Sequence, residues 1–211
     1  MRNVHYFIAL LFVIALGFAS SNSHPVQGSA GYTAAPGDSF CANCHNPNAS
    51  LNGTISVSGL PAEITPNQTY NLTLTLTNTM GNAVRGGFQM LVLNGNNQNS
   101  GTLIDVGSET IVKTVSGGKK YVGHQGAKNF PADDIISWEM DWTAPPTNVT
   151  GQAKFYFAGL FGNNANSSSG DRAVASNLIV PFVSSTSDPI NLTISNPVSY
   201  THLTLPTSDL V

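Results

Sequence analysis

The run Tyr70-Asn71-Leu72-Thr73-Leu74-Thr75-Leu76-Thr77 alternates apolar and polar residues without a break. Successive side chains of a strand point to opposite faces, so this spacing predicts a strand with one apolar face that another layer must cover. Shorter runs of similar character follow at residues 54–58, 87–93, 101–106, 110–115, 120–124, 135–143, 153–160 and 177–183. Turn signals punctuate them: Pro66-Asn67, Asn94-Gly95, Gly117-Gly118, and Asn148 with Gly151. Eight or nine short strands, evenly spaced turns and no amphipathic helix of useful length predict an all-β chain, an antiparallel β-sandwich of the Ig-like kind. No internal repeat is evident.

Composition agrees with an exported β-protein. Only 9% of the 211 residues are charged, against about 25% in an average soluble chain. Asn, Ser, Thr and Gly supply the polarity. A net charge of -3 gives no footing for nucleic-acid binding, and no basic run suggests an anionic membrane surface.

The two ends are read separately. Arg2 precedes an apolar run from Tyr6 to Leu16 and then the small residues Gly17 and Ala19, the pattern of a secretory signal peptide over residues 1–20. The run is shorter than the roughly 20 residues of a membrane-spanning helix. The mature protein is therefore expected outside the cytoplasm, in the periplasm or at the cell surface, with no transmembrane segment. At the other end, residues 197–211, including Tyr200, His202 and Pro206, resemble the translation of a transposase-type sequencing adaptor. The gene-derived chain is then expected to stop near Asn196, with 184–196 a linker. Of five histidines, His5 and His202 fall in these end segments, which leaves His24, His45 and His124 as candidate ligands.

Chemistry concentrates in Cys41-Ala42-Asn43-Cys44-His45, which contains the only two cysteines. The C-x-x-C-H spacing reads as a covalent c-type haem attachment. Two thiols three positions apart can bond the two vinyl groups of one porphyrin, and the adjacent imidazole can ligate the iron. Two other readings compete. The cysteines could form a short-loop disulfide, as oxidising compartments favour. They could hold zinc, although a structural zinc site wants four ligands and no second C-x-x-C is present. The motif lies in a Gly-, Pro- and Asn-rich segment, residues 28–52, ahead of the first clear strand.

His124, at the end of a strand-like run, could complete a bis-histidine site with His45, although a lone histidine there reads first as a solvated loop residue or a satisfied hydrogen-bonding group. Met80, in the loop-like Asn78-Thr79-Met80-Gly81-Asn82, is the competitor, and methionine would raise the reduction potential. Met90 and Met140 share parity with Phe88 and Trp138 and read as core, as do Trp138 and Trp142. Asp133-Asp134 reads as a solvated turn. The Asn163 to Asp171 stretch reads as a long loop that could bind calcium or a glycan.

The ordered set Gly31-Tyr32-Thr33-Ala34-Ala35-Pro36-Gly37-Asp38, Gly87-Phe88-Gln89, Tyr121-Val122-Gly123-His124, Trp142-Thr143-Ala144-Pro145, Phe155-Tyr156 with Ala158-Gly159, and Gly170-Asp171 resembles a family of bacterial surface proteins. These carry a reelin-like (Reeler) β-sandwich with one C-x-x-C-H, often called a choice-of-anchor domain. The resemblance implies a Reeler-like domain over residues 28–183, a bacterium of the Bacteroidetes type and, in many relatives, a C-terminal signal for type IX secretion; here that anchor is expected to have been lost by truncation near Asn196. The resemblance also makes His124 the leading second axial ligand, so that His45 and His124 would both bind iron. The family's own activity is poorly defined. The leading expectation is a monohaem electron-transfer or redox module, more a carrier than an enzyme, with an unidentified redox partner. The other is an adhesion or glycan-binding sandwich in which the pentad is a structural haem anchor or a disulfide. No G-x-S-x-G, H-E-x-x-H or acid-base dyad points to a hydrolase.

Overall fold

The computed structural model describes residues 30–47, 50–146, 151–165 and 167–183. The expectations placed on residues 1–20, on His24, on 184–196 and on 197–211 lie outside these. Eleven strands occur among the described residues: β1 Asn46–Pro47, β2 Asn52–Ser58, β3 Thr69–Met80, β4 Arg85–Leu93, β5 Thr102–Asp105, β6 Thr110–Thr114, β7 Lys120–His124, β8 Lys128–Asn129, β9 Ile135–Thr143, β10 Gln152–Gly162 and β11 Ser169–Pro181. They form two sheets, one in the order β2-β3-β9-β5 and one in the order β1-β11-β10-β4-β7-β6, with β8 also paired to β4. Every pairing is antiparallel except β1 with β11. The chain is thus the all-β sandwich that its alternation predicted. No described helix is long and apolar enough to cross a membrane.

Register explains the core. Leu72, Leu74 and Leu76 of β3 stand opposite Met140, Trp138 and Ile136 of β9, so six apolar side chains share one face. All six are buried, and each fully buried Leu contributes about 1.5–3 kcal/mol. Phe88, Met90, Phe155 and Phe161 meet them from the larger sheet. Two aromatic contacts tie the layers together: Phe88 with Trp138 at 4.9 Å between ring centroids, and Phe155 edge-on to Trp142 at 5.0 Å. The Trp142 indole also donates to the Ser100 carbonyl at 2.8 Å. Met90 and Met140 lie in this core, as their parity indicated.

Strand β4 departs from simple alternation, because every residue after Arg85 is buried. Such a strand is covered on both sides. The cover on the outer side is the segment from Ala30 onward: Ala35 packs with Leu91, Leu93 and Tyr121 in a second apolar cluster, with Val115 and Tyr156 against it. Thr33 and Phe40 bridge to make a short loop. A buried carboxylate clasps that loop to the sheet. Asp38 accepts from the Thr33 hydroxyl at 2.7 Å, the Lys119 ammonium at 2.6 Å and the Tyr121 hydroxyl at 2.8 Å. Lys119 also donates to the Pro36 carbonyl at 2.9 Å.

The final strand is longer than its sequence suggests. Ser169, Gly170, Asp171 and Arg172 hide its first half, yet from Arg172 opposite Phe161 to Pro181 opposite Gln152 it pairs residue by residue with β10. Asp133-Asp134 is the exposed turn expected of it: the Asp134 N–H donates to the Pro131 carbonyl, and Asp134 Oδ1 accepts from the buried Asn78.

Candidate functional site

A 3-10 turn, Cys41–Asn43, carries the pentad. Its backbone bonds run from Asn43 N–H to the Phe40 carbonyl (2.9 Å), and from Cys44 and His45 N–H to the Cys41 carbonyl (3.2 and 3.0 Å). Residues three apart eclipse one another in such a turn, which puts Cys41 and Cys44 on one side. Both are free thiols. Cys41 is half-buried and its thiol donates to the Tyr32 carbonyl at 3.4 Å; burial pushes its pKa up to about 11. Cys44 is exposed. Its proximity holds the Tyr32 phenol above the ordinary tyrosine range, chiefly through charge repulsion between their ionised forms. Tyr32 is in turn fixed to the sheet, its N–H donating to Gln89 Oε1 at 3.2 Å.

The short parallel pairing of β1 with β11 sets Pro47 beside Asp171 and so delivers His45 to that carboxylate. His45 Nδ1 lies 2.7 Å from Asp171 Oδ2. A carboxylate only accepts, so Nδ1 carries the hydrogen and the neutral ring keeps its lone pair on Nε2. Asp171 is buried, and its other oxygen accepts from the Asn163 N–H at 3.0 Å. A carboxylate held at both oxygens and bonded to the remote nitrogen of an imidazole is the arrangement that orients a metal-ligating histidine.

Cys41, Cys44, His45 and His124 line one cleft of about 280 Å³, on the outer face of the larger sheet. Tyr32, Arg85, Gln89 and Leu160 contribute to its walls. His124 reaches the cleft because of a glycine. A Cβ on Gly87 would lie 2.2 Å from the His124 Cε1 and 2.5 Å from its Nε2, so the ring occupies the space a side chain at 87 would fill. The imidazole also packs against Phe88 and Trp138, at 6.3 and 6.2 Å between centroids. Its Nδ1 sits 2.8 Å from the Phe88 backbone nitrogen and 3.1 Å from the Phe88 carbonyl oxygen. The Phe88 N–H can only donate, and leaving such a buried donor unpaired costs about 1–3 kcal/mol.

The four residues named from the sequence are therefore neighbours, although 79 positions separate His45 from His124. Met80 is exposed at the end of β3 and does not line the cleft. Among the described residues no group of three or more His, Cys, Asp or Glu is arranged around a common point. Sequence reasoning missed Asp171 as the partner of His45 and Gly87 as the seat of His124. The Gly86-Gly87 pair inside an otherwise apolar strand was the available signal for the second, since a strand glycine often marks a close approach.

No protein-family model matches the chain, and no curated protein matches it. Among solved structures it is similar to the Reelin-N domain of F-spondin, at 16% identity and a TM-score of 0.41, over 66% of this chain and 94% of that one. It is also similar to the human F-spondin reeler domain, at 17% identity and a TM-score of 0.39, over 64% and 91%. A cohesin module from a Clostridium perfringens family 33 glycoside hydrolase is similar at 12% identity and a TM-score of 0.42, over 63% and 97%. These likenesses concern the β fold alone.

Proposed function

We propose that the chain is an exported c-type monohaem protein, an electron-transfer or redox module of the cell surface. What carries the reading is the single cleft that gathers both thiols of the pentad, an imidazole with Nδ1 tied to a buried carboxylate, and a second imidazole. The donor set fits a haem: two thiols on one side of a turn for the thioether bonds, and a nitrogen lone pair on His45 Nε2 for iron. When bound, that group supplies one-electron chemistry at iron.

The chain's own residues have distinct tasks in this reading. Cys41 and Cys44 anchor the porphyrin covalently. Asp171 holds the Nδ1 hydrogen of His45 and so fixes its tautomer and ring plane. Tyr32 and Leu160 supply apolar wall, and His124 faces the group as the second imidazole. Asp38, through Lys119 and Tyr121, keeps the motif-bearing segment against the sheet.

The test is expression in a strain competent for cytochrome c maturation, followed by a pyridine haemochrome spectrum of the denatured protein. One covalent haem per chain is expected, lost when Cys41 and Cys44 are both changed to Ser. A chain that stays free of haem in that strain defeats the proposal.

A further inference from the structure

We infer that the outer edge of β11, from Ala175 to Ile179, is a strand-addition site for a short, uncharged, extended peptide with apolar side chains at alternate positions. The site is separate from the haem cleft. Backbone groups along β11 alternate between its two sides. The Phe182 N–H turns to the Gly151 carbonyl, on the β10 side, whereas the Pro181 carbonyl and the Val183 N–H bond to Ile64 on the other. By the same alternation Ala175, Asn177 and Ile179 direct N–H and C=O away from β10, where they meet no partner among the described residues. The strand is open there: Ala175, Ser176 and Asn177 are exposed, and Ile179 is 50% exposed.

The other sheet edges are protected and this one is not. Brevity, a bulge, a proline or a lysine ordinarily keeps an edge from pairing. β2 has a register shift at Asn52 and Gly53, β5 is four residues long and ends in Asp105, and β6 carries Lys113. From Ala173 to Val180 there is no charge and no proline, and the pairing with β10 runs without a bulge. Both ends of the opening are closed, by β1 at Ser169 and Asp171 and by Ile64 at Phe182. A second copy of β11 is too long for it, since its ends would run into β1 and Ile64; a short strand fits.

The side chains set the chemistry of that strand. β2 and β11 lie beside each other at this margin, where Ile55, Val57, Val174 and Leu178 are only half-buried. In antiparallel pairing, the peptide residue opposite Ser176 points to this inner face, between Val174 and Leu178, so an apolar side chain there completes the core margin. Its two neighbours exchange backbone bonds with Ala175 and Asn177. A charge at the inward position would be desolvated without a partner. Main-chain bonds with alternate side chains in apolar seats are the known form of recognition by strand addition.

The probe is a fluorescein-labelled Ser-Thr-Val-Asn-Leu-Thr-Ile-Ser peptide, titrated into the haem-free full chain and followed by anisotropy. Saturable binding tighter than about 1 mM is expected, with slowed amide exchange at Ala175, Asn177 and Ile179. Asn177→Pro removes an outward N–H without costing a bond to β10, and should weaken binding at least tenfold. Ser176→Lys, an exposed substitution that leaves the backbone intact, should do the same if the proline variant fails to fold. Any one of four results overturns the site: no saturable binding, equal binding of a scrambled or backbone N-methylated peptide, indifference to both substitutions, or protection of these amides by self-association of the chain alone.

Discussion

His45 Nδ1 and Asp171 Oδ2 lie 2.7 Å apart across 126 positions of sequence, joined by the two-residue parallel pairing of β1 with β11. That contact fixes the ring of a loop histidine and, in the haem reading, would orient it as a ligand. Asp171→Asn removes the negative charge behind the ring while keeping an oxygen for the Asn163 N–H. The oxidised, more positive iron loses more from this than the reduced one. The reduction potential of the holoprotein should therefore rise, by the equivalent of roughly 1.5–3 kcal/mol. A spectroelectrochemical titration of both proteins checks it, and an unchanged potential would contradict the assigned role.

Gly87 leaves room for the His124 ring, so Gly87→Ala puts a methyl group where Cε1 now sits. The imidazole must move or the strand must shift. Overpacking of this kind costs about 1–3 kcal/mol. Urea denaturation should report the loss, and the His124 ring resonances should move with it while those of Trp142 stay in place.

The Asp38 clasp binds the motif-bearing segment to β7 and to the turn before it. The Asp38 carboxylate is buried and holds three donors, so Asp38→Ala leaves the Tyr121 hydroxyl without its acceptor and Lys119 with only the Pro36 carbonyl. Removing one partner of a buried pair costs about 3–5 kcal/mol, and the part-exposed Lys119 places this case toward the lower figure. Limited proteolysis should cut within residues 30–45 well before the sandwich itself unfolds. Equal cleavage of variant and parent would count against the clasp.

Thiol labelling should separate the two cysteines in the haem-free chain. Burial pushes the Cys41 pKa up to about 11 from 9.0, and Cys44 is exposed. At pH 8, iodoacetamide should therefore modify Cys44 first, with peptide mass spectrometry reading the order. Faster modification of Cys41 would refute the burial argument.

Alkaline pH should destabilise the fold. Cys41 is raised to about 11, and Tyr121 is raised from 10.0 by burial and then by its bond to the Asp38 carboxylate. Both groups keep their protons in the folded chain at a pH where the unfolded chain has lost them. Stability from this source is full below about pH 9 and falls as pH rises, first through Cys41 and above about pH 10 through Tyr121 as well. Each group adds a slope of about 1.4 kcal/mol per pH unit within its window. Denaturation midpoints measured between pH 8 and 11 test the sign, and Tyr121→Phe should flatten the upper part.

The strands were legible because their signal is local. Alternation in residues 70–77 and 135–143 follows from the period of the pleat, and both segments form the strands it implies, β3 and β9. The first half of β11 was not legible. Ser169, Gly170, Asp171 and Arg172 have little strand preference of their own, and only pairing with β1 at its start and with β10 from Arg172 onward makes that stretch extended. The pentad could be read for the same reason as the strands: its chemistry depends on two thiols three residues apart, a distance the chain itself spans.

What the amino-acid sequence determined by itself, then, was the sandwich class and the C-x-x-C-H spacing, since both depend on neighbours in sequence. The tertiary structure alone decided that Asp171 backs His45, that His124 enters the same cleft through the gap at Gly87, and that the Phe88 N–H faces its Nδ1. Each of these depends on the register between strands tens of residues apart. Register is set by packing the whole core, where a slip of one residue would turn every side chain to the opposite face.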